Sequence, residues 1–299
     1  MSFIPTPELI ASGHERAIAR AISRVENQHP NSLELLENLS GNTPVIGVTG
    51  PPGAGKSSLV NALVLHWSQS NLRTAIVAVD PSSPFNLGSL LGDRLRMPGL
   101  FLDPKVYIRS LSARGSLGGL SASIIEVCDV LKHAQFDRIV IETVGVGQSE
   151  IEIAGIADTT LVVSVPESGD EVQTLKSGIM EIADIFVVNK CDREGADAFA
   201  NHLKKLAHYR MGEDQWEIPV IQTMATDSRG IQALSEAIDL HQKLGISTHR
   251  KEQLLAEKAY RLIQRNRMKN IGIEVIKQEI AIEIQAGTFN LYRFAKKHY

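Results

Sequence analysis

The sequence predicts an α/β protein: a doubly wound, mostly parallel sheet, with a helical hairpin before it and a helical extension after it. Three observations lead there. Short β-branched, largely apolar runs alternate with helical patterns through the middle of the chain. Several of those runs are apolar throughout, as strands covered on both faces are. A glycine-rich turn, from Gly50 to Gly55, stands between one such run and a helical pattern.

The N-terminal zone, residues 1–42, reads as helical. Ile10, Ala17, Ile18, Ala21, Ile22 and Val25 recur at roughly helical spacing. His29-Pro30-Asn31 breaks that run before a second short helix carrying Leu33, Leu36 and Leu39. The middle zone, residues 43–245, holds the strand candidates at 45–49, 74–79, 106–110, 138–142, 159–165, 185–189 and 218–223. The last zone, residues 246–299, carries helical spacing and no strand signal. Leu254, Leu255, Ala259, Leu262 and Ile263 form one stripe, and Ile273, Val275, Ile276, Ile280 and Ile284 another. The second stripe is apolar surface beyond the needs of the sheet, and it predicts a homodimer joined through these last helices.

Composition narrows the function classes. With 299 residues, 43% of them hydrophobic and 22% charged, the chain has the makings of an ordinary core. A net charge of −3 without strong asymmetry gives no nucleic-acid footprint. The basic residues after His249 alternate with Glu252, Glu257 and Glu274, which reads as solvated helix faces. Cys128 and Cys191 form no CxxC pair, so neither a zinc site nor a disulfide framework is indicated, and a cytoplasmic or organelle-matrix compartment fits. No apolar run has membrane-spanning length, and the N-terminus lacks the order of a signal peptide.

The chemistry is carried by four segments. The first is Gly50-Pro51-Pro52-Gly53-Ala54-Gly55-Lys56-Ser57, which follows the apolar run 45–49 and precedes a helix opening at Ser58. This is strand, G-x-x-x-x-G-K-S, helix, the context a phosphate-binding loop requires. Its backbone N–H groups can wrap phosphates, with Lys56 on the β and γ phosphates and the Ser57 hydroxyl on Mg2+. The second is Asn189-Lys190-Cys191-Asp192 at a strand end. Guanine presents N1–H and N2–H₂ side by side, and one carboxylate accepts both; adenine would leave Asp192 unpaired. Asn189 would contact N7 or tie the base loop to the phosphate loop, and the Lys190 stem would cover the ring. Met224-Ala225-Thr226 would offer a backbone N–H to guanine O6. GTP or GDP with Mg2+ is therefore the expected ligand set.

The third segment places Glu142 at a strand end ahead of Thr143-Val144-Gly145, where such proteins hold the magnesium shell and sense the γ-phosphate. The fourth places Asp80 at the end of the strand after the phosphate-loop helix, positioned to orient the attacking water. Asp93 follows in a loop long enough to fold over the phosphates.

At these residues the sequence closely resembles the MeaB/ArgK/MMAA family of GTPases, chaperones of adenosylcobalamin-dependent acyl-CoA mutases. The matching stretches include GVTGPPGAGKSSLVNAL, VAVDPSSPFNLGSLLGDRLRM, ETVGVGQSEIEIAGIAD and GDEVQTLKSGIMEIADIFVVNKCD, within a span from about Ala17 to Leu234. The resemblance implies a GTP-hydrolysing chaperone that gates cofactor loading or protects a mutase of the methylmalonyl-CoA type. It assigns Asp80, Asp93 and Glu142 to magnesium and hydrolysis. It makes 80–96 and 142–150 two switches, and points to a third at 166–178, where Asp170, Gln173 and Lys176 match G-D-x-x-Q-x-x-K. Here Pro166-Glu167-Ser168-Gly169 stands where relatives often begin with more glycine. The phosphate loop also lacks the extra lysine of relatives that dimerise face to face over nucleotide. Two rival readings are a nickel-insertion metallochaperone and a small-molecule kinase of the arginine/ornithine transport type. The first usually carries Cys or His clusters near the switches, whereas the nine histidines here are scattered. The second is opposed by N-K-x-D and by the want of a visible substrate-carboxylate clamp.

Overall fold

A computed structural model describes residues 3–27, 29–80, 97, 99–112, 123–143, 149–169, 179–208, 216–245, 249–267 and 272–297. It divides into two compact units, residues 1–251 and 252–299.

The first unit is built on strands β1 (Val45–Thr49), β2 (Thr74–Asp80), β3 (Val106–Ser112), β4 (Arg138–Glu142), β5 (Thr159–Ser164), β6 (Ile185–Val188) and β7 (Val220–Gln222). They form one seven-stranded sheet in the order β3-β2-β4-β1-β5-β6-β7, and every neighbouring pair is parallel. All seven expected strands are present, with ends shifted by a few residues. β7 is the most shortened, because Pro219 has no N–H to give; its carbonyl accepts from Phe186 instead.

The central strands are buried along their whole length, since helices cover both faces. On one face α4 (Lys56–Gln69) and α9 (Ile231–Leu244) pack Leu59, Leu63, Trp67, Leu234 and Ile238 over Ile46, Val48, Val140, Leu161 and Val187. The Trp67 indole donates to Ser235 Oγ (2.8 Å), and the Arg138 guanidinium lies 4.5 Å from the Trp67 ring centroid. On the other face lie α5 (Ile124–His133) and α6 (Ser149–Ile156). α6 approaches β1 so closely that a Cβ on Gly47 would sit 2.6 Å from Ile153 Cγ1. Also described in this unit are α7 (Ile179–Ile182) and α8 (Ala196–His208).

The N-terminal residues form α1 (Pro7–Ala11), α2 (Glu15–Glu26) and α3 (Ser32–Glu37). The spacing from Ile10 to Val25 suggested one helix, but Gly13 adopts φ 74° and breaks it, and the His14 ring accepts the Ala17 N–H to start the next. Ile10, Ala17, Ile18, Ala21 and Ile22 are fully buried. An ion pair between Glu26 and Arg109 ties α2 to the edge strand β3.

At the N-terminal ends of the strands, opposite the glycine turn, His241 of α9 is buried. Its Nδ1 lies 2.9 Å from Thr159 Oγ1, its Nε2 3.7 Å from Asp184, and its ring edge-on to Trp216. Burial holds its pKa below the usual histidine value, against the opposing pull of Asp184 and Asp158.

The second unit contains α10 (His249–Arg267, its first turn in the first unit), α11 (Ile273–Gln285) and α12 (Leu291–Lys296). Asn290 caps α12 by accepting the Arg293 N–H (3.0 Å), and Phe294 is buried beside Phe289. Val275 and Ile282, two turns apart on one face of α11, are 50% and 66% exposed. Among the described residues, no helix is long and apolar enough to cross a membrane.

Candidate functional site

The site gathers at the C-terminal ends of β1, β4, β5 and β6. β1 lies between β4 and β5, with β2, the next strand after β1, beyond β4 and with β6, the next strand after β5, on the opposite side. A crevice at such a point is where open parallel sheets bind ligands.

The loop leaving β1 turns on three glycines with positive φ: Gly50 (140°), Gly53 (77°) and Gly55 (85°). A Cβ on Gly50 would overlap the Val163 carbonyl, and one on Gly55 the Asn189 amide. The first helical residue after the loop is Lys56, only 6% exposed, whose ammonium donates to the carbonyls of Gly50 (2.8 Å) and Pro51 (3.0 Å). Ser57 donates to Glu142 Oε1 at 2.6 Å. Glu142 ends β4 directly beside Val48 of β1 and is 7% exposed. Next to it, Thr143 Oγ1 donates to Thr49 Oγ1 (3.0 Å), which locks the ends of β4 and β1 together.

A second set of contacts joins this loop to the end of β6. Asn189 is 2% exposed; its amide donates to the Ala54 carbonyl (3.0 Å), and its oxygen accepts from Thr223 Oγ1 (3.1 Å) and the Ala225 N–H (3.3 Å). The Asn189 amide thus ties the end of β6 to the phosphate loop. The Ala225 N–H, one of those expected to face guanine O6, is met by Asn189. Lys190 adopts φ 56° and reaches across to the Gly53 carbonyl (2.8 Å). The resulting cleft, about 210 Å³, is lined by Gly55, Ser58, Asn189, Lys190, Asp192, Arg193, Met224, Ala225 and Thr226. One cleft therefore brings together the end of the glycine loop, N-K-x-D and the 224–226 turn. Thr223 and Arg193 were not singled out from sequence; Thr223 follows a strand without a motif, and Arg193 is visible there only as the neighbour of Asp192.

Asp80 is the last residue of β2; its side chain lies outside what is described, as do Asp93, Gly145, Asp170, Gln173 and Lys176 altogether. Among the described residues no cluster of three His, Cys, Asp or Glu side chains forms a metal site. Burial pushes the Cys128 thiol up to about 12, so it is protonated and inert.

Residues 18–279 match the model of a family described as methylmalonyl Co-A mutase-associated GTPase MeaB. The chain belongs to this family. A protein of Pyrococcus abyssi is 42% identical over 288 residues, which cover 94% of this chain and 87% of its own. The GTPase ArgK of Escherichia coli is 38% identical over 240 residues, 77% of this chain and 72% of its own. Among solved structures, a LAO/AO transport system kinase superposes with a TM-score of 0.69 at 25% identity, covering 98% of this chain and 94% of that one. This MeaB-family protein is a GTPase with an α/β fold, as the sequence motifs led one to expect.

Proposed function

We propose that this MeaB-family GTPase holds GTP or GDP with Mg2+ at the loop and cleft described above, and spends its hydrolysis cycle on an adenosylcobalamin-dependent acyl-CoA mutase. The observation that carries the nucleotide assignment is the Asn189 bridge to Ala54. It joins the glycine loop to the segment bearing Asp192, so one ligand can span both.

In this reading, the N–H groups of loop 50–55 and the start of α4, Ser58 included, receive the phosphates. The Lys56 ammonium, now resting on two carbonyls, neutralises charge as the phosphoryl group leaves. The Ser57 hydroxyl and Glu142 carboxylate are hard oxygen donors 2.6 Å apart in a partly buried corner, a pair that suits a hard divalent cation. Ser57 and Glu142 would hold Mg2+, with Asp80 and Asp93 assigned beside them by family resemblance. Magnesium held there would supply charge neutralisation to the phosphates. Gly145 is the candidate γ-phosphate sensor, and Asp192 reads the guanine edge.

The mutase partner is supported by the family's own description. GTP hydrolysis would gate cofactor loading or protect the mutase, with coupling through Asp170, Gln173 and Lys176. The exposed apolar face of α11 supports a homodimer joined through the C-terminal helices. The test compares GTPase rates with and without methylmalonyl-CoA mutase. Acceleration of the wild type, lost in Lys176→Ala at unchanged intrinsic rate, is expected. A rate indifferent to every acyl-CoA mutase tried rejects the partner, and phosphate delivered to arginine or ornithine rather than to water rejects the chaperone reading.

A further inference from the structure

Two cations bracket the acid assigned to read guanine. Lys190 and Arg193 stand on either side of Asp192 in a tight turn, closed by the Arg193 N–H donating to the Lys190 carbonyl (3.1 Å), and all three line the cleft. A guanidinium is the best competitor for a carboxylate, because its fork of N–H groups matches both oxygens, the same two that guanine's N1–H and N2–H₂ would occupy. Both neighbouring cations are engaged elsewhere. Lys190 donates to the Gly53 carbonyl at 2.8 Å. Arg193 pairs with Glu167, which is not among the cleft-lining residues and comes from the 3₁₀ turn Pro166–Gly169 after β5. The hydrogen bond from Arg193 holds the Glu167 carboxyl below its ordinary value.

We propose that Glu167 is a positioning residue for nucleotide recognition: by holding the Arg193 guanidinium it keeps the Asp192 carboxylate available to the base. The inference rests on the assignment of Asp192 to guanine. Because both partners of the pair are about half exposed, with side chains 45% and 52% accessible, the effect is modest. Exposed pairs of this kind shift an equilibrium by up to about fivefold.

The experiment titrates fluorescent GDP into the full chain as four proteins: wild type, Glu167→Ala, Arg193→Gln and the double variant. Glu167→Ala should raise the GDP Kd about two- to fivefold in the wild-type background. It should leave Kd unchanged in the Arg193→Gln background, where no competitor remains. The loss should also shrink as salt screens the Arg193–Asp192 attraction. Equal loss in both backgrounds would mean that Glu167 acts through the turn it sits on, and overturns the proposal. So does no loss, and so does tighter binding, which would make Arg193 itself a base contact. Wild-type protein that takes ADP as tightly as GDP rejects the Asp192 assignment instead, whatever the Glu167 variants do.

Discussion

Replacing Asn189 with alanine would remove the hinge between the two halves of the site. Three groups lose their partner together: the Ala54 carbonyl, the Thr223 hydroxyl and the Ala225 N–H. A hydrogen bond contributes about 0.5–1.5 kcal/mol net, so three of them bound the loss between roughly 1.5 and 4.5 kcal/mol. Position decides where in that range it falls. Ala54 and Thr223 are both fully buried and cannot be rehydrated without opening the structure, whereas Ala225 lines the cleft, where water can replace the amide oxygen. A loss of about 2–3 kcal/mol is expected, a large share of the roughly 5–15 kcal/mol that holds a typical domain folded. The assay is urea unfolding followed by tryptophan fluorescence. Both tryptophans, Trp67 and Trp216, lie in the first unit, so the signal reports on the unit that contains the network. The midpoint should fall by about 1 M with the slope unchanged. Asn189→Asp, which keeps the acceptor but turns a carboxylate toward the Ala54 carbonyl, should be destabilised as well. A loss under about 0.5 kcal/mol for Asn189→Ala would refute the network as the element joining phosphate loop and base loop.

Lys56→Ala should lower the GTP turnover number by orders of magnitude while leaving the circular dichroism spectrum unchanged; near-normal turnover in single-turnover assays contradicts the role given to this lysine. His241 predicts a pH effect on stability. Its folded pKa is lowered by burial, so between that value and its unfolded value of about 6.5 only the unfolded chain takes up the proton. Its contribution is thus fully present above about pH 6.5 and is lost as pH falls through the folded pKa. His241→Asn should flatten the urea midpoint between about pH 7 and 5, and an unaltered slope would show that His241 titrates normally. Ile282→Glu, on the exposed face of α11, should dissociate the proposed dimer by light scattering at unchanged intrinsic GTPase rate; a dimer that persists places the interface elsewhere.

Most of the framework was legible because two local signals coincide with two global ones. The runs at 45–49, 159–165 and 185–189 are largely apolar and do not alternate, with their polar residues (Thr49, Thr159, Thr160, Ser164 and Asn189) toward the ends, a pattern that suits a sheet covered on both faces, and they are β1, β5 and β6. Gly50 and Gly55 announce themselves because the chain passes where a side chain has no room, against Val163 and Asn189. What stayed hidden is local backbone conformation that periodicity masks, and contacts between residues far apart in the chain. The break at Gly13 inside an unbroken apolar periodicity is one example. The pairing of Arg193 with Glu167 is another: it joins residues 26 positions apart through the geometry of two neighbouring strands. The bond from Ser57 to Glu142, 85 positions apart, is a third. Sequence named both residues for magnesium but had no means of placing one against the other.

The central claim is that Asp192 reads the guanine edge in the cleft beside the phosphate loop. Its most direct test exchanges one atom on each side. Xanthine carries a carbonyl where guanine carries its N2 amino group, so a carboxylate suits guanine and an amide, able to donate, suits xanthine. Kd values for GDP and XDP should be measured on wild type and Asp192→Asn. The account predicts that wild type prefers GDP by at least about tenfold, since one unpaired buried group costs roughly 1–3 kcal/mol, and that Asp192→Asn reverses the order. A reversal cannot come from misfolding, which weakens both ligands alike. If Asp192→Asn keeps the wild-type preference for GDP, or if wild type does not distinguish the two, the base is read by other groups and the assignment of this cleft is wrong.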